Sequence, residues 1–149
     1  MIDPATAFKL AGLLAMAGWL ALLIALFVKT ARPIAWPAAQ LAVPALLAIA
    51  YGLLLLAGAD AFQEGGFGSI VEVRALFAND HALAAGWLHY LAFDLFVGAW
   101  ISRDGAERGV PALLVLPCLP LTFLFGPLGL LLYFVLRLAS GRHAVTETP

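Results

Sequence analysis

At 149 residues, 64% of them hydrophobic and 11% charged, the chain carries more apolar side chain than a water-soluble fold can bury; an ordinary soluble domain has roughly 45–50% and about 25%. Eight Lys and Arg against nine Asp and Glu leave a formal net charge of -1, which excludes a basic field able to recruit nucleic acid as a partner. The single cysteine, Cys118 in LLVLPCLPL, excludes an intrachain disulfide and a thiolate cluster, and reads as a buried structural residue.

Four stretches reach the roughly 20 apolar residues that a membrane crossing needs: about 8–28, 34–57, 83–101 and 110–136. With no water at membrane depth, each must satisfy its own backbone, which predicts helices. The expected fold is all-α: an integral membrane four-helix bundle in one domain, with a short interfacial helix between spans two and three and a polar tail at 137–149. In span one, Asp3 in the head region and a long apolar core favour a retained anchor over a cleaved signal. The span ends at KTARP, where Lys29, Arg32 and Pro33 stop it, and Trp36 follows at interfacial depth. Pro37, Gln40 and Pro44 predict a kink early in span two, with Gln40 as an interhelical hydrogen-bonding group.

The connection DAFQEGGFGSIVEVRALFAND, residues 60–80, is too charged to cross. Ser69 followed by Glu72 is a capping box, and Ile70, Val73, Leu76 and Phe77 recur at helical spacing, predicting a short amphipathic helix ending near Asn79. Gly65, Gly66 and Gly68 lack the strand-then-helix context of a phosphate loop and read as a flexible hinge. Such a loop is also a candidate lid.

Span three contains HYLAFDLFVGAW, residues 89–100. A charged aspartate at mid-membrane costs about 2.5–3.5 kcal/mol, so Asp94 is expected to face the bundle interior, where it pairs, holds helices together or exchanges protons. His89 lies five residues earlier, about 140° around the helix and about 7.5 Å along it, so the two form no same-face dyad. Asp94 shares a stripe with Trp87, Tyr90, Gly98 and Ile101; His89 shares one with Phe93, Phe96, Trp100 and Arg103. Either each acts on its own side of a ligand wrapped around the helix, or one or both are structural hydrogen-bonding groups. His81, His89, Asp94 and Asp104 show no metal-ligand spacing, and no Ser, Cys or Lys sits in a nucleophile motif, so no metal is expected. Trp87, Tyr90, Phe93, Phe96 and Trp100, beside Ala92, Gly98 and Ala99, suit a slot for a conjugated lipid; packing and an interfacial belt account for the same rings.

Span four carries Pro111, Pro117, Pro120 and Pro127 with Gly126 and Gly129. These bend the helix and free carbonyls, either as awkward packing or as bends that open a cavity in the bundle. Four crossings place Lys9, Arg74, Arg137 and Arg142 on the side of the termini and Lys29, Arg32, Arg103 and Arg108 on the other, a tie. Lys29 and Arg32 after the first span tip the expectation toward termini outside the cytoplasm.

GWLHYLAFDLFVGAWISRDG together with PCLPLTFLFGPLGLLLY resembles the abscisic-acid-deficient-four-like membrane proteins, whose plant members are required for making the xanthophyll neoxanthin. The resemblance rests on Trp87, His89, Leu91, Ala92, Asp94, Leu95 and Phe96, then Asp104 and Gly105, then Pro127 and Gly129. Plant members carry an arginine where this chain has Ala99, so the likeness is to a bacterial branch, which implies a bacterial inner membrane. It implies a cofactor-free isomerase of a carotenoid or related isoprenoid lipid: an acid protonates an epoxide oxygen, the ring opens, and a base removes a carbon-bound proton. The implied roles are Asp94 as donor, His89 as acceptor and Tyr90 as orienting group, with Trp87, Phe93, Phe96 and Trp100 around the substrate. The alternatives are a non-catalytic carotenoid or lipid binder that assists another membrane enzyme, and a small proton-coupled transporter, for which no inverted repeat is visible. A bundle this small leaves pairing into a homo-oligomer open.

Overall fold

A computed structural model describes residues 3–141, which are all-helical without a strand among the described residues. Helix α1, Pro4–Phe27, starts where the Asp3 carboxylate accepts from the Thr6 N–H at 2.8 Å and the Thr6 hydroxyl at 2.5 Å, with Pro4 in the first turn. Those two bonds hold the exposed Asp3 carboxyl below the usual carboxylate range. At the other end, the last carbonyls of α1 lack intrahelical donors. Arg32 supplies two, from Nε to Ala25 O at 3.0 Å and from an Nη to Leu26 O at 3.4 Å.

The second long apolar helix runs Lys29–Ala57. A 3₁₀ turn, Lys29–Ala31, leads into α2, Arg32–Pro37, then a π-helical turn, Ala38–Ala42, then α3, Val43–Ala57. The expected kink takes the form of this π turn: Pro44 offers no N–H, and the ladder slips so that the Val43 N–H reaches Ala38 O, five residues back.

Two short helices follow, α4, Ala61–Glu64, and α5, Ile70–Leu76. Ser69 Oγ accepts from the Glu72 N–H at 3.2 Å, while the Glu72 carboxylate reaches back to the Gly68 N–H at 3.0 Å. α5 stops at Leu76, short of the expected Asn79, because Asn79 caps the next helix by accepting from His81 and Ala82. The glycine run is a packed joint: Gly65 lies against the Leu76 backbone, and the Gly66 N–H donates to Glu72 O. Phe67, Ile70 and Val71 stay exposed, as an interfacial segment leaves them.

The central helix, α6, Asp80–Glu107, packs between α1 and α3. Trp19 of α1 seats on Gly98, and Leu95 seats on Gly18, small residues letting the backbones approach. Outward faces remain apolar, with Leu13, Leu20 and Ile24 of α1 and Leu46, Ile49 and Leu53 of α3 exposed, which suits lipid and not water.

The fourth apolar stretch corrects the expectation of a single span over 110–136. It forms α7, Ala112–Val115, α8, Cys118–Phe125, and α9, Pro127–Gly141, and the chain reverses between α8 and α9. At Gly126, φ is 41°, a region L side chains avoid, and Pro127 cannot continue the hydrogen-bond ladder. The return is visible in two contacts. Gly129 packs directly on Thr122, and a Cβ at Gly105 of α6 would touch both Val115 and Tyr133, residues about 27 Å apart in one continuous helix. α7 to α9 thus make a helical hairpin against α6. Three helices are long and apolar enough to cross a membrane; Ala112–Phe125 and Pro127–Ser140 are shorter. The first residues of the expected polar tail, 137–141, belong to α9, and 142–149 lie outside the described residues.

Reversal changes the charge balance. Arg137 returns to the end of the molecule that holds Lys29, Arg32, Arg103 and Arg108, where Arg137 and Arg108 share Asp104. The opposite end keeps Lys9 and Arg74 with the acids Asp3, Asp60, Glu64, Glu72 and Asp80. The expected tie is therefore replaced by a five-to-two division of the described basic residues.

Candidate functional site

Asp94 occupies the middle of α6, facing the hairpin tip. A Cβ at Gly126 would lie 2.7 Å from its Oδ1, so the absence of a side chain there makes room for the carboxyl. Its Oδ2 is buried and has no hydrogen-bond partner. An unsatisfied polar atom in an apolar interior is costly, and such atoms concentrate where chemistry or a ligand needs them.

Tyr90 stands one turn before Asp94 on the same face of α6. Its hydroxyl donates to Phe123 O at 2.8 Å. Phe123 is four residues before Pro127, whose missing N–H leaves that carbonyl without a helical donor. Tyr90 fills the gap and fastens α6 to the broken hairpin.

From this point a groove of about 790 Å³ runs between α1 and α6 toward the acidic end. Phe8, Leu13 and Met16 form one wall, Trp87 and Tyr90 the other, and Phe123 lies on the hairpin side. Trp87 stacks between Phe8 at 5.2 Å and Tyr90 at 5.3 Å, presenting flat faces.

The residues singled out by sequence do not converge on one site. Tyr90 and Trp87 line the groove, and Asp94 lies one turn beyond Tyr90 on α6, outside that lining. His89 does not join them: it is exposed, stacked on Phe93 at 4.6 Å and tilted against Tyr51 at 5.8 Å. It lines a separate hollow of about 290 Å³ bordered by Phe62, Phe67 and Phe77, so the interfacial loop lies beside His89 and not Asp94. Phe93 and Phe96 border a shallow groove against Gln40, Leu41 and Pro44. Trp100 meets Tyr133 and Phe134 edge-on, at 5.6 and 5.9 Å. Among the described residues, no three His, Cys, Asp or Glu side chains converge as a metal site would require.

Two participants were missed in the sequence. Phe123 enters through its carbonyl and Gly126 through its φ; the signal for both was Pro127, which frees the first and follows the second. A second hairpin contact lies ten residues along α6. Asp104 Oδ2 accepts from the Tyr133 hydroxyl at 2.5 Å and lies 3.3 Å from Arg137, while Oδ1 accepts from Arg108 Nε at 2.9 Å. This carboxyl is fully partnered and pins the hairpin base.

Long apolar helices around a polar group at a helix break define an all-helical membrane protein. A family model described as ABA DEFICIENT 4-like matches residues 6–133, and the chain belongs to that ABA4-like family. The matched segment includes all but the first two residues of α1, all of α6, the hairpin tip and Tyr133 at its base. No match is found among curated proteins or among solved structures.

Proposed function

We propose that this chain is a cofactor-free acid/base isomerase of a carotenoid or related isoprenoid lipid, with the ligand in the α1–α6 groove and Asp94 as the reacting acid. The observation that carries this reading is the buried, unpartnered Asp94 oxygen beside the hairpin break, one turn beyond a groove walled by stacked rings. A carboxyl with one buried oxygen left without a hydrogen bond is poorly suited to holding helices together. In its protonated form it suits proton transfer in a dry cavity.

One carboxyl suffices. The Asp94 acid gives its proton to an epoxide oxygen, the C–O bond breaks to leave a hydroxyl and a carbocation, and the resulting carboxylate removes a carbon-bound proton to form the new double bond. The proton count returns to its start, and no electrons enter or leave. His89, about 140° away around α6, is not required for this cycle. Tyr90 and Trp87 hold the chain of the lipid, and Tyr90 also fixes the hairpin tip.

In this reading the protein sits in a bacterial cytoplasmic membrane, crosses it three times and inserts the hairpin from the basic end. That end faces the cytoplasm by the positive-inside rule. Reporters fused to the two termini are then expected on opposite sides, the N-terminal one outside; both on one side would restore four crossings.

The catalytic test is expression in a host making epoxy-carotenoids, with pigments compared by absorption and mass. An isomerase shifts the spectrum at constant mass, and Asp94→Asn abolishes the shift while the protein accumulates normally. An unchanged pigment co-purifying with the wild type would support the second reading, a carotenoid-binding protein, which the groove's apolar walls also favour.

A further inference from the structure

At the basic end, the C-terminus of α1, the start of α2, and the corner between α6 and α7 enclose a notch of about 390 Å³, distinct from the Asp94 groove. Lys29 and Arg32 stand at its side, Ser102 is part of its lining, and Leu26, Val110 and Val115 supply apolar wall. We propose that this notch binds the phosphate headgroup of an anionic phospholipid, with the acyl chains descending along the apolar wall.

Three observations support an anion here. Arg32 is held rigidly: it caps Ala25 O and Leu26 O and lies over the Trp36 ring at 5.4 Å. A guanidinium carries five donors, so these two bonds leave others free. The Lys29 side chain makes no hydrogen bond or ion pair among the described residues, so its ammonium is uncommitted. Ser102 is 2% exposed, and its Oγ accepts from Trp36 Nε1 at 3.2 Å. Because that bond uses the oxygen as an acceptor, the hydroxyl proton is available to another oxygen.

Charge and depth choose the lipid over a free anion. The notch lies at the end carrying five of the seven described basic residues, where an inserted protein meets anionic headgroups. Its lining combines two cations with aliphatic side chains, which a phosphate attached to acyl chains satisfies and a free phosphate does not. The volume falls within the roughly 300–1,000 Å³ of small-molecule sites.

The test is native mass spectrometry of the purified full chain titrated with phosphatidylglycerol, phosphatidylcholine or inorganic phosphate. The expected result is one retained phosphatidylglycerol. Lys29→Gln with Ser102→Ala is expected to weaken it about tenfold, as loss of charge-assisted bonding would, and Arg74→Gln at the opposite end to leave it unchanged. Melting temperatures of the variants, measured alongside, separate loss of the site from loss of fold. Retention of phosphatidylcholine to the same extent, insensitivity to the double variant, or equal weakening by Arg74→Gln would each overturn the proposal. So would Lys29-dependent binding of inorganic phosphate with no preference among lipids.

Discussion

Two aspartates on α6, ten residues apart, both meet the α7–α9 hairpin, and they meet it in opposite ways. Asp104 at the hairpin base is saturated by Tyr133, Arg108 and Arg137. Asp94 at the tip faces a glycine and keeps a buried oxygen without a partner. The base supplies what a carboxylate needs to be a structural pin: donors and countercharge on both oxygens. The tip supplies no countercharge and leaves one oxygen without a donor, which suits the proton transfer proposed for it. One hairpin thus holds itself in place with one acid and leaves the other available.

The comparison breaks first under paired substitutions to asparagine. Asp94→Asn is expected to lower the proposed isomerisation by about 10²–10⁴-fold, the range of a lost general acid, with little change in thermal stability. Asp104→Asn is expected to do the reverse. It weakens the Tyr133 bond and leaves two arginines short of a countercharge, costing about 2–4 kcal/mol of stability, while surviving protein keeps its turnover. Thermal melts in detergent beside pigment assays check both. If Asp94→Asn destabilised as much as Asp104→Asn, the tip carboxyl would be a structural group as well.

The long helices and the oddity of Asp94 were legible because both depend on local facts: run length, and a charge where none is cheap. The cap at Ser69 and Glu72 was legible for the same reason. The hairpin was not. Hydropathy measures how apolar residues 110–136 are, and it is blind to a reversal that depends on one φ angle at Gly126. The clue was the sequence Gly126-Pro127 with Gly129, read as a bend when it is a turn with close packing behind it. Four continuous crossings would put Arg137 at the end of the termini, whereas the reversal returns it to Asp104 at the basic end. The angular separation of His89 and Asp94 was correctly available from spacing alone. Which side held the groove was not, since both faces of α6 carry aromatic rings.

A smaller effect sharpens the role of the turn. Gly126→Ala places a methyl 2.7 Å from Asp94 Oδ1 and forces an L residue to φ 41°. Gly109→Ala is the matched control, with φ 69° and nothing within 4 Å of the new carbon. Each is expected to lose about 1–3 kcal/mol through backbone strain. Only Gly126→Ala displaces the acid, so only it is expected to lower turnover, by about tenfold to a hundredfold. Equal activity in the two variants at equal stability would mean that the position of Asp94 against the turn is immaterial.

The smallest expected effect concerns His89. Its ring stacks on Phe93 and tilts against Tyr51 in the hollow beside the interfacial loop, on the far side of α6 from the groove. A single carboxyl that donates and then recovers the proton needs no second base, so His89→Ala is expected to leave isomerisation within about twofold of wild type, a change too small to represent a lost transition-state contact. The substitution also separates two ligand geometries. A lipid confined to the α1–α6 groove never reaches the histidine. One that wraps α6 places its far end in the hollow, and His89→Ala would then raise the concentration for half-maximal turnover while sparing the maximal rate. A fall in maximal rate at unchanged binding would instead restore the histidine as the proton acceptor and require α6 to turn or the ligand to span it.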